Sequence, residues 1–157
     1  MTATKPSTNG VANFNFAHLR LDNLTTARYD LPLVSPGAHL VGHPAMETNR
    51  KYRDGLLALS GDRIRRSTFT DRNDEDDQLD RDDDLKLYPE HVITGWGGIT
   101  DTDGNDVPFT VDNCAAFLKS LPEWLFDRVR VFFKVPENFI KRAPIRPPQN
   151  VSDLVEN

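Results

Sequence analysis

The segment between Pro122 and Pro136 most constrains the fold, because its pattern predicts a helix that is apolar over far more than one face. At 100° per residue its apolar side chains cover an arc of about 220°, roughly twice the stripe that a helix needs to pack on one neighbour. One half of the arc holds Leu125, Phe126, Val129, Phe132 and Phe133, and the other half holds Trp124, Val131 and Val135. Two explanations are open. Either the helix is central and enclosed by its own domain, or half of the arc binds another chain.

The rest of the chain predicts a mainly α fold with short β-hairpin or extended segments. Helices are expected over residues 44–60, 85–96, 110–121 and 122–135, from apolar spacing and from proline and glycine at their ends. We expect one small helical domain over residues 44–140, with an acidic loop at 71–84, where nine of fourteen residues are Asp or Glu. Residues 1–43 form an extended N-terminal arm, and the proline-rich residues 141–157 form an extended C-terminal tail.

Two local signals support the second half of this prediction. Thr110 has the position and chemistry of a helix N-cap, and the helix that it opens places Cys114 on an apolar stripe with Phe117, Leu118 and Leu121. Cys114 is therefore predicted to be a buried small hydrophobe and not a nucleophile. Asp103 and Gly104 lie between two short apolar segments and predict a hairpin turn.

That turn also partly matches a calcium-binding loop. Asp101, Asp103 and Asn105 fit the first three ligand positions, but Asp106 stands where glycine is required and Asp112 where glutamate is preferred. A plain hairpin is the favoured interpretation, and no metal site is predicted. The acidic run likewise has the composition of a solvated loop or of a charged helix start.

Composition and motifs argue against several classes of function. A formal net charge of −5 disfavours a general nucleic-acid or anionic-membrane binder, and no apolar run reaches bilayer length. The polar start of the chain lacks the pattern of a secretory signal, and a single cysteine fits a reducing compartment. We find no phosphate-binding loop, nucleophile elbow or paired-histidine motif, so the sequence predicts no enzyme activity and no cofactor.

A resemblance to a known family enters through short turn and core motifs. They comprise Trp96 to Asp101, Gly104, Val107 to Thr110, Asn113, Leu118, Leu121-Pro122, Phe126 and Pro136 to Phe139, preceded by Pro44-Ala45, Asn49, Tyr52 and Leu56-Leu57. This pattern resembles the tail assembly chaperones of tailed bacteriophages of the siphophage type. The resemblance runs from Pro44 to Phe139. The N-terminal part, the tail and Gly97, where the family has a larger residue, depart from it.

The resemblance implies a non-enzymatic protein of the host cytoplasm that binds the long, helical tape-measure protein while tail-tube subunits assemble around it, and that self-associates. In that role we expect the contacts to be made by Trp124, Val131, Phe132 and Val135. The alternative is a structural component of the virion, such as a connector, baseplate or capsid-associated protein. The proline-broken N-terminal section and the proline-rich tail favour this alternative, because extended arms are ordered by lying along neighbours.

Overall fold

The computed structural model describes residues 10–22, 25–69 and 74–140, without the side chains of residues 62 and 64–69. The helices are α1 (Arg50–Phe69), α2 (Asp74–Leu87), α3 (Val111–Ser120) and α4 (Glu123–Lys134), and the strands are β1 (Ala27–Asp30), β2 (His39–Gly42) and β3 (Ile93–Gly97). The predicted class, mainly α with short strands, is confirmed. The predicted C-terminal tail, residues 141–157, lies outside the described residues.

The three strands form one antiparallel sheet in the order β1-β2-β3. The region predicted as an N-terminal arm therefore divides: residues 10–22 precede the sheet, whereas residues 27–42 supply two of its strands. The physical reason is burial, since Leu31, Ala38 and Leu40 from this region are enclosed in the core. Alternating apolar residues are equally compatible with a free arm and with a half-buried strand, so the sequence pattern could not separate them.

Helix α1 starts later and ends later than the predicted helix over residues 44–60. It begins after Asn49, whose Oδ1 accepts a hydrogen bond from the Tyr52 backbone N–H at 3.3 Å, as a capping side chain does. The chain has non-helical angles at Ser60, whose hydroxyl donates to the Leu56 carbonyl at 2.7 Å. Such back-bonding bends helices, so the predicted stop at Gly61 becomes a kink and the helix continues to Phe69.

In place of the predicted acidic loop, the described part of the acidic run forms helix α2. Its first turn consists of Asp74, Glu75, Asp76 and Asp77, which interact favourably with the positive end of the helix dipole. Basic residues of other elements pair with several of its later carboxylates: Arg63 of α1, for example, pairs with Asp80 and Asp83. A run of unpaired carboxylates favours a loop, because like charges repel one another. Here ion pairs offset part of that repulsion, and a helix can form.

The helix predicted over residues 85–96 is absent, and the same residues end α2, form a π-type turn at Tyr88–Val92 and continue as β3. Pro89 has no backbone N–H and favours the break. The following residues are extended because Gly95, Trp96 and Gly97 pair with β2. Gly97 faces the His39 ring, where an added Cβ would lie 2.3 Å from His39 Cε1, so a larger residue here would require the His39 side chain to move.

The apolar core lies between the sheet, the π-type turn and α4. Tyr88, Phe126 and Phe133 are fully buried, and the ring of Tyr88 meets both phenylalanine rings edge-on, with centroids 6.1 Å and 6.3 Å away. A second aromatic cluster joins β3 to α3: the ring of Trp96 contacts Phe109 and Phe117, and its indole N–H donates to the Val107 carbonyl at 2.9 Å.

A buried ionic node, formed by Asp84 with Tyr52, Arg130 and Lys134, connects α2 to α1 and α4. The carboxylate of Asp84 has no exposed surface and accepts hydrogen bonds from Tyr52 Oη, Arg130 Nε and Lys134 Nζ, each at 2.7 Å. Burial, followed by the charge of Asp84, raises the pKa of Tyr52 above its usual value, so Tyr52 remains a donor. The node therefore holds the acidic helix against α4 chiefly by charge and hydrogen bonding.

Candidate partner-binding surface

Helix α4 divides its wide apolar arc between the core and the surface. Its inner face, Leu125, Phe126, Val129 and Phe133, is buried. On its outer face Val131 is 59 % exposed and Trp124 is 51 % exposed, while Phe132 and Val135 are half-buried. The helix is thus central to the domain on one half of the arc and presents apolar surface on the other half, whose binding to another chain stays a prediction.

Three of the four predicted contact residues line one groove of about 410 Å³. Val131 and Phe132 of α4, with Val135 directly after the helix, form one wall of it. Tyr29 of β1, Asp127, Arg128 and Asn138 complete the lining. A groove of this volume accepts a small number of side chains and leaves them in contact mainly with apolar surface.

The fourth predicted residue, Trp124, does not line the groove. It lies near the start of α4, where the guanidinium carbon of Arg128 is 5.0 Å from the centre of its ring, a cation–π contact. Arg128 lines the groove, so Trp124 lies next to the groove and is in contact with one of its lining residues. The four residues therefore share one side of α4 but only three share one concave surface.

Four lining residues were not among the predicted contacts: Asp127 and Arg128 of α4 itself, and Tyr29 and Asn138 from elsewhere in the chain. Tyr29 lies about one hundred residues before α4, and its ring is 4.6 Å from that of Phe132, measured between centroids. Asn138, in the short turn Pro136–Phe139, donates from Nδ2 to the Phe132 carbonyl at 2.9 Å and closes the groove at its C-terminal end. The alternation around Tyr29 was compatible with a short strand or an extended arm, and the antiparallel sheet is what brings Tyr29 beside α4.

A second, polar depression of about 320 Å³ lies beside the groove. The two share Asp127 and Val131, and the second is lined on its far side by Asp77 and Asp80 of α2. Asp127 forms the ridge between them and is fixed by Arg81, whose two nitrogens donate to its oxygens at 2.9 Å and 2.8 Å. These hydrogen bonds hold the pKa of Asp127 below its usual value. An apolar groove thus borders directly on a depression lined by charges of both signs, since Arg81, Arg130 and Lys134 also line it.

The other candidate sites of the sequence have structural roles. Asp101 Oδ1 accepts hydrogen bonds from the backbone N–H groups of Asp103 and Asn105, each at 2.9 Å, and Thr100 pairs with Asp106. This is the predicted hairpin turn. Within the described residues no group of three His, Cys, Asp or Glu side chains is placed to hold a metal ion. Cys114 is fully buried, and burial raises its pKa to about 12.

Residues 48–141 match the YdaY prophage protein family. The chain belongs to this family. The family region spans all four helices, β3 and the turn after α4, so it contains the α4 wall of the groove and excludes β1 with Tyr29. No curated protein and no solved structure matches the chain.

Membership in the YdaY prophage protein family gives the chain a phage origin. Among the described residues of this family member, no helix is both long enough and apolar enough to cross a membrane. The ionic node at Asp84 and the outer face of α4 both lie inside the family region. The same stretch of chain therefore holds the element that stabilises the acidic helix and the element that presents apolar surface.

Proposed function

We propose that this prophage protein is a non-enzymatic tail assembly chaperone, which binds the tape-measure protein through the outer face of α4 in the host cytoplasm. The observation that carries the proposal is the exposed apolar face of a helix whose opposite face is already buried. Trp124 and Val131 are half or more exposed on a helix that supplies four buried residues to the core. A small monomeric domain gains nothing in its own stability by exposing these side chains, whereas a second polypeptide would cover them.

The chemistry of the groove suits an amphipathic helix. Val131, Phe132 and Val135 recur at helical spacing and face Tyr29 across the groove, which is the arrangement that accepts apolar side chains one turn apart. Tape-measure proteins, as the resemblance to tail assembly chaperones implies, are long and helical and present many such faces. The net charge of −5 keeps a chain with exposed apolar surface in solution. Many copies along one partner would also favour the self-association that the resemblance implies.

The decisive experiment is co-purification of the Val131→Asp variant with the tape-measure protein of the same prophage. A carboxylate in the middle of the groove would be desolvated by a bound apolar helix, so binding should be lost. Because Val131 is 59 % exposed in the free protein, the free energy of unfolding should change by about 0.5 kcal/mol or less. Retained binding would contradict the proposal, and so would loss of the fold.

A matched control separates the α4 face from exposed apolar residues in general. Leu57 lies on α1 and is 52 % exposed, close to the exposure of Val131. The Leu57→Asp variant introduces the same charge at a similar depth outside the groove, so it should retain binding of the tape-measure protein. Equal loss in both variants would mean that net charge, and not the α4 surface, controls the association.

A second candidate function is that of a virion component. It is favoured by residues 10–22, which precede the sheet and expose four apolar side chains: Val11, Phe14, Phe16 and Leu19. Such a segment is suited to lie along a neighbouring subunit. Mass spectrometry of purified particles distinguishes the two candidates, because a chaperone is absent from the finished particle and a structural component is present at fixed stoichiometry.

A further inference from the structure

The N-terminal segment, residues 10–22, carries two aromatic rings that its own domain leaves exposed. Phe14 is 76 % exposed and Phe16 is 61 % exposed, and their rings are parallel, with centroids 6.2 Å apart and an interplanar angle of 4°. The polar residues Asn13 and Asn15 alternate with them along the chain. Such alternation is typical of a strand with one apolar face. The segment therefore has the pattern of a strand whose apolar face is uncovered.

Strand β1 lies at an edge of the sheet and is able to accept a further strand. The Leu31 N–H donates to the Ala38 carbonyl, just before β2, at 2.7 Å. In an antiparallel ladder such pairs alternate with pairs that exchange no hydrogen bond, so Arg28 and Asp30 direct their backbone groups away from β2. These two residues offer two N–H donors and two carbonyl acceptors along the edge. Among the described residues no other strand lies beside them.

The α4 groove adjoins this same edge of the sheet. Helix α4 packs on β1, and the side chain of Tyr29 lines the groove and contacts the Phe132 ring. Side chains on one face of a sheet lie beside their neighbours on the adjacent strand. A strand added beside β1 would therefore place its alternate side chains next to Tyr29, in the groove. This is the arrangement of strand addition, in which the backbone pairs with an edge and alternate side chains enter pockets.

The dimensions of the groove fit the two rings of the N-terminal segment. Val131 and Val135 are four residues apart on the α4 wall, which corresponds to about 6 Å along the helix axis. The two exposed rings have nearly the same spacing, 6.2 Å. A cavity of about 150 Å³ holds one benzene ring, so the groove of about 410 Å³ is large enough for both rings.

The area available is sufficient for a pair of molecules. At about 200 Å² per phenylalanine side chain, the exposed parts of Phe14 and Phe16 amount to about 270 Å². A symmetric pair has two such contacts, each covering a similar area of groove, so the rings alone bury about 1,100 Å². Specific interfaces begin near about 1,000 Å², and the strand pairing adds to the area of the rings. A second copy of the chain therefore supplies enough contact for an association.

We propose that this protein forms a symmetric dimer by exchanging its N-terminal segments: residues 13–16 of one copy add to β1 of the other, and Phe14 and Phe16 enter its α4 groove. Leu21 packs against the core of its own molecule, so the segment is anchored at one end, while both rings stay exposed there. One contact then covers the rings, the groove and the free edge of the sheet. The dimer does not depend on the proposed function, but it uses the same groove, so a bound tape-measure protein would displace the segment.

Analytical ultracentrifugation of the full chain tests the association. The wild type should show a concentration-dependent equilibrium between monomer and dimer at micromolar concentrations, since the interface is near the lower size limit. The double variant Phe14→Asp, Phe16→Asp should weaken the dimer at least about a hundredfold, because each buried ring contributes about tenfold or more. The matched control, Asn13→Asp with Asn15→Asp, adds the same charge on the opposite side of the segment and should change the equilibrium by less than about threefold. A monomeric wild type, or equal weakening by both double variants, would overturn the proposal.

Disulfide trapping between two kinds of molecule identifies the contact. One preparation carries Phe14→Cys or Phe16→Cys on a chain lengthened by a size tag, and the other carries Val131→Cys. On mild oxidation of the mixture, one of the two ring variants should form a heterodimer at least about tenfold faster than it does with Leu57→Cys in place of Val131→Cys. Leu57 has similar exposure on another helix, and the native Cys114 is fully buried and does not compete. Equal rates for both ring variants would mean that the rings do not enter the groove.

The same cysteines placed in one chain distinguish exchange from a cover within the molecule. A chain with Val131→Cys and the reactive ring variant should give a covalent dimer on a non-reducing gel, because its segment lies in the groove of the second copy. A product that runs as a monomer and has lost two thiols would mean that the segment occupies the groove of its own molecule, and the exchange would be refuted.

Binding of the tape-measure protein separates this proposal from the proposed function. The Phe14→Asp, Phe16→Asp variant keeps its groove and should bind the tape-measure protein at least as tightly as the wild type, whereas Val131→Asp should lose both associations. If the wild type is monomeric and Val131→Asp still abolishes binding of the tape-measure protein, the exchange is refuted and the chaperone function stands. If the dimer forms through these contacts but neither the wild type nor the monomeric variant binds the tape-measure protein, the exchange stands and the chaperone function is refuted.

Discussion

The buried carboxylate of Asp84 offers the sharpest test of how this domain is held together. In the Asp84→Asn variant the side chain keeps its shape but loses the charge that faces Arg130 and Lys134, both 2.7 Å from Oδ2. A hydrogen bond to a charged group contributes about 1.5–3 kcal/mol, and a neutral one about 1 kcal/mol. The Lys134 side chain is 38 % exposed, so solvent screening reduces its contribution to less than about 1 kcal/mol.

Arg130 determines how far the free energy of unfolding falls in the Asp84→Asn variant. Its side chain is only 16 % exposed and would keep a single partner carboxylate, Asp127 at 3.1 Å. We therefore expect the free energy of unfolding to fall by about 3 kcal/mol, at the lower end of the range for breaking a buried ion pair. With a urea m-value of about 1.5 kcal/mol/M for a chain of this size, the midpoint should move down by about 2 M.

Urea unfolding followed by far-UV circular dichroism and by tryptophan fluorescence measures this shift. The matched control is Asp82→Asn on the same helix, because Asp82 is exposed and, among the described residues, its side chain hydrogen-bonds to Gln78 alone. Its effect should lie within about 0.5 kcal/mol. An unchanged midpoint in Asp84→Asn, at an unchanged m-value, would refute the argument that charge holds α2 against α4.

The remaining predictions concern α3. Thr110 Oγ1 accepts the Asn113 backbone N–H at 3.0 Å, so Thr110→Ala should destabilise the protein by about 1 kcal/mol in thermal or urea unfolding, while Thr110→Ser should change it little. The pKa of Cys114 is raised to about 12 by burial, so its thiol is protonated at pH 8 and should react with a thiol reagent only after denaturation. Rapid labelling of the native protein would contradict its burial.

Local chemistry was the part of the fold that could be predicted from the sequence. Thr110 caps α3, Cys114 is buried, and Asp101 closes the turn that Asp103 and Gly104 indicated. Each depends on residues within about five positions of one another, where side-chain and backbone preferences are expressed directly. The two-sided character of α4 was likewise visible, because helical periodicity places every side chain of one helix on a known face.

Long-range pairing accounts for what the sequence analysis missed. Residues 85–96 have the spacing of a helix, but residues 93–97 pair with β2, some fifty residues earlier. The described part of the acidic run is helical, and its carboxylates pair with basic residues of other elements, Arg63 of α1 and Arg130 and Lys134 of α4. In both cases the partner residues lie outside the segment in the sequence, so the pattern of the segment itself does not reveal them. Tyr29 was missed as a groove residue for the same reason, since a strand pattern carries no information about the helix that it will face.

The anchoring of α4 has a consequence for the speed and strength with which anything can bind it. Val129 and Phe133 are immobilised in the interior, and they alternate along the helix with Val131 and Phe132 on the outside. The outward side chains therefore stand on a backbone that cannot rearrange without opening the core. Association then requires little loss of conformational entropy on this side, so a short and weakly ordered ligand can still bind with useful affinity.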